Sequence, residues 1–201
     1  MKNRLLLPLL LLAALATSCG GSPEEPGSEP RPEPGPVPHE EPVVIPPRGT
    51  DSTLDLGTWN LEWFGSTSNG PSNESLQLSN VRAVIAGSDL DIWGVAEVVD
   101  ATHFQQLVSQ LPGYAGLLAS DSSVTDGGSY YSTSEQKVGL LYKTDIASVV
   151  SARLILTSSD SDFAGRPPLE VLLRVSLNGH TEDLVVIVLH AKAFNDEAAW
   201  L

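Results

Sequence analysis

Prolines crowd one stretch of this 201-residue chain, and they decide where a fold can begin. Ten prolines fall between residues 20 and 50, with Gly and Glu between them. Because proline fixes φ and lacks a backbone N–H, such a stretch forms neither a helix nor a sheet ladder. We interpret residues 19–50 as a stiff, acidic tether, which at about 3.1 Å per residue reaches up to roughly 90 Å. The packed domain is therefore expected over residues 51–201.

The residues before the tether have the order of an export signal. Two basic residues precede the apolar run Leu5–Leu15, and small residues then lead to Cys19, the only cysteine. This order is typical of a secretory signal, and the run is shorter than the roughly 20 apolar residues of a membrane span. Cys19 and the residues before it resemble a bacterial lipobox, although an ordinary signal with an incidental cysteine is the alternative. We predict a signal peptide over residues 1–18 and a lipid on Cys19, in an exported protein anchored at the periplasmic face or the cell surface.

The composition excludes several classes of protein. Eleven Lys and Arg against 25 Asp and Glu give a net charge of −14, which argues against a binder that holds nucleic acid through its own basic surface. One cysteine excludes an intrachain disulfide and a Cys-rich zinc site. The hydrophobic fraction of 41% is enough for a packed core.

Hydrophobic periodicity predicts β-α-β segments followed by hairpins. Two helices are expected, over residues 74–87 with Asn73 as N-cap and over a segment that Pro112 ends. Asn178-Gly179 is typical of a tight hairpin turn. Residues 120–135 are expected to form a loop. The predicted strands are 54–59, 91–98, 137–143, 146–157, 168–177 and 184–189. The pattern predicts an α/β fold in which helices cover the outer face of a mixed sheet.

Three polar residues stand at the ends of apolar strands: Asn60, Glu97 and His190. Functional side chains gather at strand ends in α/β proteins, and a polar group there needs a partner or a ligand. Asn and Glu offer the oxygen donors that Mg²⁺ and Mn²⁺ prefer, and His transfers protons near neutral pH. Taken singly, each has a structural alternative: a turn-forming Asn, a paired carboxylate or a hydrogen-bonded core His.

Five motifs in order narrow the interpretation. They resemble the endonuclease/exonuclease/phosphatase superfamily, from about residue 54 to the end of the chain. The motifs are Gly-Thr-Trp-Asn-Leu-Glu-Trp-Phe-Gly from residue 57, Trp-Gly-Val-Ala-Glu-Val from 93, Gln-Lys-Val-Gly-Leu-Leu-Tyr-Lys from 136, Gly-Arg-Pro-Pro-Leu from 165 and His-Ala-Lys-Ala from 190.

The resemblance implies a four-layer α/β sandwich of two mixed β-sheets flanked by helices. It implies that Asn60 and Glu97 hold a divalent metal, Mg²⁺ or else Mn²⁺ or Ca²⁺. His190 corresponds to the first of two catalytic histidines beside the scissile phosphate. Arg166 stands at the place of a phosphate-binding arginine, with a solvated loop arginine as the alternative. Gln136 lies where some nucleases carry a Glu that orients the histidine, and here it is neutral.

The function that the resemblance implies is metal-dependent hydrolysis of a phosphoester, with nuclease-like phosphodiester cleavage favoured. Its substrate would be a phosphodiester, with nucleic acid as one candidate. The lipid would attach the protein to the membrane, and no protein partner is inferred. A phosphatase, a sphingomyelinase-like hydrolase and a non-catalytic lipoprotein remnant are the alternatives. The family's Gly-Asp-x-Asn and Ser-Asp-His motifs do not occur in the 201 residues. We therefore expect an incomplete fold that lacks its C-terminal half, with little activity on its own.

Overall fold

The computed structural model describes residues 44–191. The predicted signal peptide, Cys19 and the tether up to residue 43 lie outside the described residues, as do residues 192–201. The predictions about those segments therefore stay predictions.

A mixed sheet, called sheet I, carries the first half of the domain. Its strands are β1 (Leu56–Phe64), β2 (Ile92–Val98), β3 (Tyr114–Leu118) and β4 (Lys137–Lys143), in the order β1-β2-β4-β3. β1 and β2 are parallel, because helix α1 (Glu74–Ser88) connects them in a crossover, while β2 and β3 are both antiparallel to β4.

Sheet II is formed by three consecutive strands. These are β5 (Ala147–Leu154), β6 (Leu169–Leu177) and β7 (His180–Val188), in that order. Both strand pairs are antiparallel, because each strand follows its neighbour directly in the chain. Among the described strands, sheet II is thus purely antiparallel, whereas the prediction was two mixed sheets.

Within residues 44–191, two hydrophobic cores lie between three layers of secondary structure. The first core lies between the sheets and includes Ile92 and Leu140 of sheet I and Leu173 of sheet II. The second core lies between sheet I and the helices α1 and α2 (Ala101–Ser109), around Phe64 and Ile85. The predicted α/β fold with two sheets and flanking helices is confirmed. The alternate β7 residues Val185 and Ile187, on the far face of sheet II, and Leu189 just after β7 are half exposed.

Local sequence signals account for most element boundaries. Asn73 caps α1 and accepts a hydrogen bond of 3.0 Å from the Leu76 amide, as predicted. Asn178 and Gly179 both have positive φ, as a two-residue hairpin turn requires. β3 was not predicted. The loop predicted at 120–135 contains one short helix, α3 (Gly127–Tyr130), and a 3-10 helix spans Thr157–Phe163.

The segment before β1 lies against the end of α1. The amides of Arg48 and Gly49 both donate to the carbonyl of Ser88, at 2.7 and 3.0 Å. Gly49 must be glycine here, since a Cβ would lie 2.0 Å from the carbonyl oxygen of Asp89. The last residues of the predicted tether, 44–50, thus contact the domain without forming a helix or strand. Within residues 44–191 we find no helix that is long and apolar enough to span a membrane.

Candidate active site

The ends of β1 and β2 are irregular where the predicted site residues lie. The parallel register between the two strands breaks after Asn60, and the register of β2 against β4 breaks between Val95 and Val98. Glu62, Trp63 and Glu97 all have positive φ, between 52° and 61°. Such backbone is costly for residues other than glycine, and it concentrates at functional sites. The two bulges turn polar groups of both strands toward one point.

The Glu97 carboxylate lies at the centre of this group of polar residues. Its Oε1 accepts a hydrogen bond of 2.8 Å from Asn60 Nδ2, and its Oε2 accepts one of 3.2 Å from the Trp63 amide. His190, which follows β7, places Nε2 at 3.3 Å from Glu97 Oε1. The side chains of His190 and Glu97 are only 16% and 14% exposed. The three strand-end residues of the sequence analysis therefore meet at one site.

Gln77 of α1 supports the strained end of β1 through side-chain hydrogen bonds. Its buried side chain donates to the carbonyls of Leu61 and Glu62, at 2.8 and 2.9 Å. These two bonds satisfy carbonyls that the bulge removes from the sheet ladder. Gln77 therefore acts on the site through the backbone that carries the Trp63 amide.

Arg166 approaches His190 from the opposite side. Arg166 Nη1 donates to Gln136 Oε1 at 2.5 Å and lies 3.0 Å from His190 Nδ1. Because arginine has no acceptor, Nδ1 of His190 must accept this bond, and the ring proton of a neutral His190 then lies on Nε2, facing Glu97. Burial lowers the pKa of His190, the guanidinium of Arg166 lowers it further, and Glu97 opposes both. His190 is thus held mainly as a neutral imidazole with a defined tautomer.

The donor set fits an ion such as Mg²⁺, which takes few ligands from the protein and the others from water and substrate phosphate. No group of three His, Cys, Asp or Glu side chains is assembled for a metal within residues 44–191. Glu97 supplies a carboxylate to the site, and Asn60 turns its Nδ2 toward Glu97 while its Oδ1 accepts from the Glu62 amide at 2.9 Å. Mg²⁺ is commonly held by one or two carboxylates together with water and substrate phosphate, so one carboxylate suffices. In this arrangement Asn60 fixes the carboxylate.

Sequence reasoning found four residues of this cluster and missed three contributions. Asn60, Glu97, Arg166 and His190 come together as a group. The Trp63 amide was missed because backbone groups leave no trace in side-chain patterns. The Gln77 support was missed although a polar residue on the buried face of α1 was a usable signal. Gln136 was noted as a neutral departure, but its bond to Arg166 depends on the tertiary fold.

Structural comparison finds solved structures with a similar fold at low sequence identity. D. rerio TDP2 complexed with a single-strand DNA product matches with a TM-score of 0.50 at 12% identity, over 72% of this chain and 48% of that one. The human nocturnin catalytic domain with bound sulfate gives 0.44 at 17%, over 71% and 51%. A β-hairpin deletion mutant of Staphylococcus aureus beta toxin gives 0.44 at 16%, over 72% and 53%. The chain spans about half the length of each of these structures.

A sequence match decides the family. No curated protein matches the chain. The profile of the Endonuclease/Exonuclease/phosphatase family, however, matches residues 57–189, which include Asn60, Glu97, Gln136 and Arg166 and stop one residue before His190. The chain therefore belongs to the Endonuclease/Exonuclease/phosphatase family, whose members hydrolyse phosphoesters.

Proposed function

We propose that the protein is a divalent-metal-dependent phosphodiester hydrolase. The observation that carries the proposal is the contact of three different groups at one strand-end site. A carboxylate, a neutral imidazole and a guanidinium lie in one chain of contacts from Glu97 through His190 to Arg166. This combination suits phosphoryl transfer, which depends on positioning and on stabilising charge at the phosphoryl oxygens.

Each residue has a separate task in this proposal. Glu97, fixed by Asn60 and by the Trp63 amide, would hold Mg²⁺, which supplies charge stabilisation at the phosphoryl oxygens. Arg166 offers a planar fork of donors that suits two phosphate oxygens. Substrate phosphate would replace His190 Nδ1 as the hydrogen-bond acceptor of the Arg166 guanidinium. The freed Nδ1 of the neutral His190 would then accept the proton of the attacking water, while Nε2–H would keep its hydrogen bond to Glu97.

The neutral amide of Gln136 supports the role of Arg166 as a phosphate ligand. Gln136 orients the guanidinium through a 2.5 Å hydrogen bond without neutralising it. A carboxylate in its place would form an ion pair, and the phosphate would have to compete with that pair. The positive charge of Arg166 thus stays available for an anionic ligand.

The sequence motifs favour nuclease-like phosphodiester cleavage within this proposal, whereas the acidic composition weighs against long nucleic acids and leaves a sugar or lipid phosphate as the substrate. Residues 51–201 carry 7 Lys and Arg against 19 Asp and Glu, so a long polyanion would depend on metal ions for its approach. The lipobox-like Cys19 leads us to place the domain outside the cytoplasm, anchored to a membrane by its lipid.

Turnover of bis(p-nitrophenyl) phosphate tests the proposal. It is measured for the 201-residue chain and for any longer product of the same reading frame, with Mg²⁺ and with EDTA. Glu97→Gln should raise the Mg²⁺ concentration needed for half-maximal rate at least tenfold, whereas Glu182→Gln, on an exposed part of β7, should leave it unchanged. The rise in Tm on adding Mg²⁺ gives a second readout, which Glu97→Gln should remove. Hydrolysis that EDTA does not affect, or equal metal dependence in both variants, would contradict the proposal.

A further inference from the structure

A cleft of about 730 Å³ lies next to the candidate active site. It runs between the loop after β1, the start of α2 and the loop before β4. We call it the hydroxyl cleft, because serine and threonine side chains form much of its wall. Its volume lies within the roughly 300–1,000 Å³ typical of small-molecule sites.

Three lining residues connect the hydroxyl cleft to the active site. Trp63 lines the cleft, and its amide donates to Glu97. Tyr131 lines it too, and its hydroxyl donates at 2.9 Å to the carbonyl of Pro167, the residue after Arg166. Lys137 follows Gln136, the partner of Arg166. A group attached to a phosphate at Arg166 and His190 would therefore lie beside this cleft.

The charged groups of the hydroxyl cleft are already engaged by the protein. Lys137 is 2% exposed, and its Nζ donates to the carbonyls of Val99, Thr133 and Glu135 at 2.8 to 3.1 Å. These three bonds use all three donors of an ammonium group. The carboxylate of Asp100 accepts from two amides at the start of α2. Among the described lining residues, no cation is left to neutralise a second phosphate.

The side-chain groups of the cleft that remain available for hydrogen bonds, among the described residues, include uncharged threonine hydroxyls. The hydroxyls of Thr67, Thr102 and Thr133 are on exposed residues and make no hydrogen bond to any residue in the described range. Each can act as donor and as acceptor. Trp63 adds aromatic surface, whereas Tyr131 is only 5% exposed. This combination suits the alternating C–H and O–H faces of a carbohydrate better than a polyanion or an acyl chain.

We propose that the hydroxyl cleft binds a neutral, hydroxyl-rich ester group, a sugar or a polyol, of a substrate with a single phosphate. The inference rests on the proposed hydrolase function and names the substrate class of that site. Arg166 and the metal would take the phosphate, and the threonine hydroxyls would take the ester group. Polymeric DNA or RNA would lack cationic partners along this cleft.

Binding of charge-matched phosphate monoesters tests the inference without requiring turnover. Calorimetry in the presence of Mg²⁺ compares glucose 6-phosphate and glycerol 3-phosphate with ethyl phosphate and inorganic phosphate. We expect both hydroxylated esters to bind at least fivefold more tightly than ethyl phosphate, since each net hydrogen bond contributes about 0.5–1.5 kcal/mol. The oligonucleotide (dT)12 should bind more weakly than glucose 6-phosphate at 0.15 M salt.

Variants of nearly constant side-chain volume test whether the cleft causes the preference for hydroxylated esters. Thr102→Val and Thr133→Val remove a hydroxyl at nearly constant volume and should each reduce the glucose 6-phosphate preference twofold to tenfold, with ethyl phosphate binding unchanged. Thr125→Val, whose exposed hydroxyl lies outside the cleft, is the matched control. Measured Tm values confirm that each variant is folded.

The outcomes separate the two proposals. If none of the phosphates binds, the hydrolase proposal fails and takes this inference with it. If all monoesters bind equally, if (dT)12 binds best, or if the threonine variants keep the preference, the inference fails and the hydrolase proposal stands.

Discussion

Gln136 accepts a hydrogen bond of 2.5 Å from Arg166, and this neutral acceptor leaves the charge of the guanidinium uncompensated. Gln136→Glu should therefore weaken phosphate binding about tenfold, equivalent to ~1.4 kcal/mol. The new carboxylate would pair with Arg166, and phosphate would have to displace it. Calorimetric titration with inorganic phosphate in Mg²⁺ measures the change. Gln110→Glu adds the same charge at the exposed end of α2 and is the control; equal losses in both variants would show that only net charge matters.

His190→Ala should reduce kcat by about 10²–10⁴-fold, the usual contribution of an acid–base group. The Mg²⁺ concentration for half-maximal rate should change little, because Asn60 and the Trp63 amide still hold Glu97. The assay is hydrolysis of bis(p-nitrophenyl) phosphate across a Mg²⁺ titration. His180→Ala, on an exposed residue at the start of β7, should behave as wild type. A kcat within twofold of wild type would remove His190 from the chemistry.

Gly65→Ala should lower the free energy of unfolding by about 2–5 kcal/mol. Gly65 has a φ of 80°, and a Cβ there would lie 2.7 Å from the Cβ of Asp100, which caps α2. The loss combines left-handed strain, roughly 1–2 kcal/mol, with overpacking, roughly 1–3 kcal/mol.

Gly179→Ala is the matched control for this substitution. Gly179 has a φ of 76° with nothing within 4 Å of the added Cβ, so only the strain should remain. Urea unfolding of both variants gives the two free energies. Equal losses would mean that the close approach of the β1 loop to α2 does not matter.

Cys19→Ala should move the protein from the membrane fraction to the soluble fraction, because the lipid would have no attachment site. Fractionation and mass spectrometry of the mature N-terminus measure this. Ser18→Ala keeps the cysteine and should stay with the membrane. An unacylated wild-type Cys19, with the variant still sedimenting with membranes, would contradict the lipobox interpretation.

The sequence was sufficient for elements whose residues carry their own signals. β4 runs over Lys137–Lys143, as predicted, because a nearly continuous apolar segment forms a strand that is buried on both faces. β3, in contrast, has the sequence Tyr-Ala-Gly-Leu-Leu, which does not alternate apolar and polar residues, and it follows the Pro112-Gly113 turn. It forms because the free edge of β4 offers a ladder, and pairing of that kind is decided by tertiary contacts.

The same division holds for the candidate site. Asn60, Glu97 and His190 were recognisable because polar residues are unusual at the ends of apolar strands. The support from Gln77 and the Trp63 amide depends on two bulges, whose positions are set by how β1, β2 and β4 pair. Local sequence patterns do not encode that pairing.

The positive φ values at Glu62 and Trp63 lower the stability of the fold, but they direct the Trp63 amide at Glu97 for the proposed chemistry. Glycine would adopt this backbone without steric cost, so Glu62→Gly should relieve strain in the folded state. The same change would loosen the bend that directs the Trp63 amide at Glu97. Selection for stability alone would thus favour glycine at this bend, and a laboratory search for thermostable variants would alter the site there first.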